Sequence, residues 1–321
     1  MSSKAEMSSG LVNGIHQGHK TGFGFSKMES GFKKGLLNGI RKHDKVQDPI
    51  ALTGSKKPAV FWLADYCETG TSVPFWYGDP VPNSNVSLLY NLAGSYVYPD
   101  TAGTPAITVG SNPVYKYPGV INGKAYIDMN TANDVIYSSS TNNKSEMTIV
   151  MVVRLSNNID NQILFSRVSS NASNTVGDLR IYSMGGNRVR VEMYGNPTST
   201  LSVYDTFAPE LSGVVEGKGW CILTVKCRLS QPYGQGSEVE IYVNGRLNMT
   251  PITTTFTGST SNFQNGTNLI FGNGPVVASL TGISSGGGSN MASGMVLDYW
   301  LNSSEQIRIE NFYRYYYGYR F

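Results

Sequence analysis

The chain has 321 residues, 40% hydrophobic and 15% charged, with a formal net charge of +3. That supports one substantial core, and 36 Gly and 20 Tyr among abundant Ser, Thr and Asn suit a turn-rich β-sandwich better than a charge-rich cytosolic enzyme. The first thirty residues lack the apolar stretch of a signal peptide, and no run approaches the ~20 apolar residues of a membrane span.

Charge divides the chain. Residues 1–57 hold ten Lys/Arg against four Asp/Glu, and residues 58–321 hold fifteen against eighteen. A basic tail therefore precedes a slightly acidic body, and its scattered rather than massed lysines suit a protein partner better than nucleic acid. Within this tail GLVNGIHQGHK (10–20) recurs as GLLNGIRKHDK (35–45). Two copies are too few for a solenoid. Gly10, Gly14, Gly18 and Gly22 recur every four residues, as do Gly31, Gly35 and Gly39. On a helix they would form a smooth stripe, which becomes favourable only against another backbone, because each interior Gly costs about 1 kcal/mol relative to Ala. The expected anchor is Leu11, Val12, Gly14 and Ile15 with Leu36, Leu37, Gly39 and Ile40. Two linked anchors would add avidity; a plain disordered linker is the alternative.

From Lys57 onward the pattern changes to short apolar runs separated by turns. TIVMVVRL (148–155) is almost continuously apolar and reads as a central strand covered on both faces. QILFSR (162–167), LRIYS (179–183) and RVRVEMY (188–194) follow, and WCILTVKCRL (220–229) puts Cys221, Leu223, Val225 and Cys227 on one face. EVEIYV and RLNM flank Asn244-Gly245, a hairpin signal. NLIFG (268–272) and MVLDYWL (295–301) complete the strands, and GISSGGGSN (282–290) reads as a flexible linker. Residues 301–321 predict a closing helix, with Ser303 and Gln306 as its capping box, an inward face of Ile309, Phe312, Tyr313 and Tyr316, and Gly318 as its stop.

Candidate chemistry is sparse. His16, His19 and His43 all lie in the tail, which leaves the body no imidazole for acid–base catalysis. Glu238 and Glu240 would place two carboxylates about 7 Å apart on one strand face, the solvent face of a hairpin. Asp128, Asn130 and Asp134 form an oxygen-rich stretch that could take calcium, although the Gly and terminal Glu of an EF-hand loop are missing; no other cofactor is implied. Trp76 and Tyr77 are candidates for stacking on a sugar, with core packing the plainer reading. Cys221 and Cys227 would stand ~20 Å apart on one strand, beyond disulfide reach, so the three cysteines read as buried thiols.

The order of these features resembles the laminin-G-like, concanavalin A-like jelly rolls of phage and bacterial surface proteins. The likeness rests on Trp62-Leu63-Ala64-Asp65, Trp76-Tyr77-Gly78-Asp79, the run from Gly119 to Asp128, Thr148–Val153, Trp220–Val225, Ile241–Gly245, and Leu301, Ser303, Gln306, Ile307, Glu310 and Tyr313. It implies an all-β jelly-roll sandwich over 58–321 with a C-terminal helix, behind an extended or partner-ordered tail over 1–57. It implies function poorly, since one fold serves many. A jelly roll without catalytic residues behind a basic anchor suits a multicopy virion protein, made in a host cytoplasm and fastened to a capsid or tail lattice. The alternative is a carbohydrate-binding adhesin or cell-surface module, and host-surface glycan is a candidate partner under either reading.

Overall fold

The computed structural model describes residues 56–70, 80–93, 107–110, 113–121, 123–131, 134–140, 145–154, 160–168, 179–184, 188–194, 201–207, 219–228, 238–249, 267–272 and 286–318. The repeat-bearing anchor, the histidines, Trp76 and Tyr77 lie outside the described residues.

In chain order the strands are β1 (Val60–Leu63), β2 (Cys67–Thr69), β3 (Val86–Leu89), β4 (Ile107–Gly110), β5 (Val114–Ile121), β6 (Lys124–Thr131), β7 (Val135–Ser140), β8 (Glu146–Arg154) and β9 (Asp160–Val168). They continue with β10 (Leu179–Met184), β11 (Arg188–Tyr194), β12 (Leu201–Phe207), β13 (Trp220–Arg228), β14 (Glu238–Val243), β15 (Arg246–Met249), β16 (Thr267–Gly272) and β17 (Gly286–Leu297); helix α1 spans Ser303–Tyr316. An eight-stranded sheet runs β15-β14-β13-β8-β17-β6-β5, with β1 also paired to β17, and a seven-stranded sheet runs β12-β11-β10-β9-β16-β7-β4. The pairings are antiparallel, and β17 lies between β8 and β6, far from it in sequence. This is a two-sheet sandwich of jelly-roll type, as the sequence implies.

Alternation decides which side chains meet inside. Met147, Ile149, Met151 and Val153 of β8 join Cys221, Leu223, Val225 and Cys227 of β13 in one core with Ile181, Val191 and Leu269 of the facing sheet. An aromatic chain crosses the interior: Trp62 of β1 meets Phe271 of β16 edge to face at 5.5 Å, and Phe271 meets Phe165 of β9 at 5.2 Å. Gly294, opposite Trp62 in register, leaves the room for this crossing. A Cβ there would stand 2.5 Å from the Phe271 ring and 2.6 Å from the indole nitrogen of Trp62.

Three sequence expectations need correcting. The stretch read as a flexible linker contributes Gly286–Asn290 to β17, because a neighbouring strand, β6, satisfies its backbone irrespective of its poor side chains. The last strand ends at Leu297 rather than Leu301, and Asp298–Trp300 bend away. The helix cap lies one residue earlier than expected: the Asn302 side chain accepts from the backbone N–H of Glu305 at 2.9 Å, and the Glu305 carboxylate accepts from the N–H of Asn302 at 3.1 Å. Asn, like Ser, caps well, so sequence alone leaves the register of the cap open.

Candidate functional site

Both β8 and β13 are buried over almost their whole length. The inner face is covered by the opposite sheet, while the outer face carries α1. Ile309, Phe312, Tyr313 and Tyr316, the inward stripe expected from sequence, are buried. Phe61, the outward residue of β1, meets Phe312 with ring centroids 6.2 Å apart. Gly318, at φ +80, ends the helical segment as expected.

The helix seat is also polar, and every polar contact in it is directed. Ser293 of β17 donates to the carbonyl of Trp62 at 2.8 Å and lies 2.9 Å from the Tyr313 hydroxyl, while the Tyr317 hydroxyl donates to the carbonyl of Ala292 at 2.9 Å. Farther along, Asp65 holds three elements together. Between β5 and β6 the register shifts after Lys116 opposite Tyr126, and resumes at Ile121 opposite Lys124. Within that irregularity Asp65 takes the N–H of Ala125 at 3.1 Å, and its second oxygen accepts from the Tyr316 hydroxyl at 2.7 Å. The ammonium of Lys124 lies 4.2 Å from the centre of the Tyr316 ring. Burial raises the Asp65 carboxyl above the usual range, against the opposing effects of Lys124 and the two hydrogen bonds.

A second cluster lies over β13. Glu310 of α1 is buried and accepts from Gln306 Nε2 at 2.9 Å and Thr224 Oγ1 at 3.2 Å, with Arg314 at 3.8 Å. Burial raises its carboxyl, with the two hydrogen bonds, Arg314 and Lys226 opposing. Arg314 also donates to the carbonyl of Asn244 in the β14–β15 turn. That turn has φ of 53° at Asn244 and 81° at Gly245, the hairpin conformation expected of Asn-Gly. A side chain at Gly245 would meet Glu310 Oε2 at 2.5 Å, so the turn is seated against the helix.

Beside it Lys226, almost wholly buried, pairs with Glu240 at 3.3 Å and lies 4.7 Å from the Tyr242 ring centre and 5.7 Å from that of Trp300. The guanidinium of Arg228 lies over Trp300 at 4.5 Å and bonds Glu146 at 2.9 Å. Glu240 was expected on an open hairpin face. It does sit outward, opposite the inward Val239, Ile241 and Val243, but in a half-buried network with Lys226 and the Tyr242 hydroxyl at 2.9 Å. The side chain of Glu238 lies outside the described residues.

The calcium candidates separate. Asp128 shares the outward alternation of Lys124 and Tyr126 on β6, whereas Asp134, buried ahead of β7, shares the inward alternation of Ile136. The side chain of Asn130 lies outside the described residues, and no group of three or more His, Cys, Asp or Glu among those described is arranged to hold a metal. Cys67, Cys221 and Cys227 are buried thiols outside any disulfide, as expected. No helix among the described residues is long and apolar enough to cross a membrane.

Sequence reasoning missed the Lys226–Trp300 and Asp65–Tyr316 clusters. The available signals were a lysine inside a strand otherwise buried on both faces, and the acid that comes just after the apolar run of β1.

No family model and no curated protein sequence matches the chain. Among solved structures it is similar to the ligand-binding domain of botulinum neurotoxin serotype D in complex with N-acetylneuraminic acid, with TM-score 0.49, 10% identity, and coverage of 81% of this chain and 52% of that one. The binding domain of botulinum neurotoxin DC in complex with rat synaptotagmin II matches with TM-score 0.48 at 11% identity, covering 80% and 52%. The binding domain of botulinum neurotoxin serotype G matches with TM-score 0.46 at 12% identity, covering 68% and 48%. The chain spans about half the length of these structures. The likeness is one of overall strand arrangement alone.

Proposed function

We propose that this chain is a non-catalytic recognition protein, a β-sandwich that presents a saccharide-binding surface and is tethered through residues 1–57. The observation that carries the reading is how the acids of the helix-bearing face are employed. Asp65 serves a backbone N–H and a tyrosine, Glu310 a threonine and a glutamine, Glu240 a lysine and a tyrosine, and Glu146 an arginine and the backbone of Trp300. Each is committed to holding structure together. A hydrolytic carboxylate pair instead flanks a space left for a glycosidic bond. Aromatic and planar polar groups on a rigid sheet suit recognition.

The test is binding of the purified chain to an array of immobilised glycans, with release of reducing sugar measured in parallel. Retention without hydrolysis is the expected outcome; turnover, or retention of no glycan, overturns the reading.

The duplicated G-L-x-N-G-I element favours a second statement about where the module works: on a virus particle, with the tail as its attachment. Replacing Leu11, Ile15, Leu36 and Ile40 together by Asp should abolish co-purification with assembled particles. Wild-type occupancy of that variant would exclude the tail as the anchor.

A further inference from the structure

The recognition reading, on which this inference rests, leaves open where a sugar would sit. We infer that Trp300, packed over Arg228 and with Glu146 beside it, is a subsite for a neutral pyranose.

Of the tryptophans described, Trp62 and Trp220 are buried in the sandwich, whereas Trp300 is partly exposed. Its orientation is set by the residues beneath it. Lys226 and Arg228 alternate outward on β13 with Thr224, which meets α1, while Val225 and Cys227 point into the core. Both cations therefore approach the indole from the sheet side, Arg228 at 4.5 Å and Lys226 at 5.7 Å from the ring centre. The indole packs over these two cations and is left partly exposed.

The platform is also fixed in advance. Trp300 N–H donates to Glu146 Oε2 at 3.2 Å, Leu301 N–H to Thr148 Oγ1 at 3.2 Å, and Thr148 Oγ1 to the carbonyl of Tyr299 at 2.8 Å. These bonds tie the segment entering α1 to β8, so little ordering remains to oppose binding. Arg228 and Glu146, joined at 2.9 Å, have side chains 39% and 34% exposed. The carboxylate of Glu146 keeps acceptor lone pairs for adjacent sugar hydroxyls, while the C–H face of a pyranose stacks on an aromatic ring and Arg228 steadies that ring from below.

Charge selects the class of sugar. Among the described residues Arg228 is paired with Glu146 and Lys226 with Glu240, so each of these two cations already has a counter-ion. An acidic sugar would have to compete with Glu146 and Glu240 for these cations, whereas a neutral one would not.

The test uses the full chain and an array of neutral oligosaccharides of glucose, galactose, mannose and N-acetylglucosamine, with glucuronate-containing oligosaccharides alongside. Trp300→Ala should weaken binding to the best neutral glycan at least tenfold, Trp300→Phe should retain most of it, and Glu146→Gln should fall between. In a spectrum of ¹⁵N-labelled indole groups, the same glycan should shift the Trp300 signal, identified by its loss in Trp300→Phe. If Trp300→Ala fails to melt cooperatively, that spectrum decides alone. Neutral-glycan binding that leaves the Trp300 signal still overturns the site while sparing the recognition reading. Preference for the glucuronate set overturns the neutral assignment. Retention of no glycan by wild type overturns both.

Discussion

The interior of the sandwich and the seat of α1 are two sides of the same strands, and they are built in different ways. Inside, β8 and β13 present Met, Ile, Leu, Val and Cys to the opposite sheet. Burial of such groups is non-directional and roughly proportional to area, so one apolar residue can often stand in for another. Outside, the same strands present Thr148, Thr224, Lys226 and Arg228, each with a named partner. Directed contacts tolerate exchange poorly, because removing one partner strands the other away from water. The interior should therefore set how stable the protein is, and the seat should set where the helix lies.

The largest expected effect tests the first half of that contrast. Phe271→Ala removes the ring linking Trp62 to Phe165 and should cost about 3–5 kcal/mol by chemical denaturation. A loss below about 1 kcal/mol would mean that the two sheets are held together elsewhere.

Asp65 tests the second half. Asp65→Ala leaves the Ala125 N–H and the Tyr316 hydroxyl without their acceptor, and should cost about 1–3 kcal/mol. Asp65→Asn keeps an acceptor oxygen and should cost less. Equal losses would show that the negative charge, rather than the hydrogen bonds, secures the clasp.

A smaller effect is expected at the cap. Asn302→Ala removes the bond to the Glu305 N–H and should cost about 1 kcal/mol. Hydrogen exchange should then quicken along α1 while the β8 amides stay protected. Uniform quickening would mean that helix and sandwich open only together.

The subtlest test is the pH response of Glu310. Its carboxyl is raised in the folded protein, so the folded state keeps a proton that the unfolded chain has released. The stability linked to that proton is complete below the unfolded value, about pH 4, and is lost as pH rises through the folded value. Glu310→Gln imitates the protonated form and should remove this contribution to the slope. Relative to wild type, the variant should gain as pH rises above the unfolded value, with melting followed at each pH. A constant difference at every pH would mean that Lys226 and Arg314 keep the carboxylate charged throughout.

The same contrast explains what could be read from the chain. The continuous apolar run over Thr148–Val153, the alternation along Cys221–Cys227 and the turn at Asn244-Gly245 are local patterns, and they located central strands and a hairpin correctly. The inward helix stripe was legible for the same reason. The start of β17 was not, because Gly-Gly-Gly-Ser-Asn has no apolar period and becomes a strand only beside β6 and β8. Nor was the Trp300 corner, where residues 146, 228 and 300 come together from three separate elements. Glu238 and Glu240 drew attention because they were close in sequence, whereas Asp65, Glu146 and Glu310 find Tyr316, Arg228 and Thr224 far away in it.

The three buried thiols have a practical consequence. Cys67 stands in β2, and Cys221 and Cys227 stand at opposite ends of β13, all of them buried. Burial pushes the thiols of Cys67 and Cys227 well above the ordinary range, which suppresses the nucleophilic thiolate in the folded protein. An alkylating reagent must therefore wait for the chain to open. Its rate at each position, read by mass spectrometry, becomes a clock for that opening. Cys67 times the small β2–β3 pair, while the two cysteines of β13 time the centre of the larger sheet. The native sequence thus carries its own probes of breathing, with no label to be introduced.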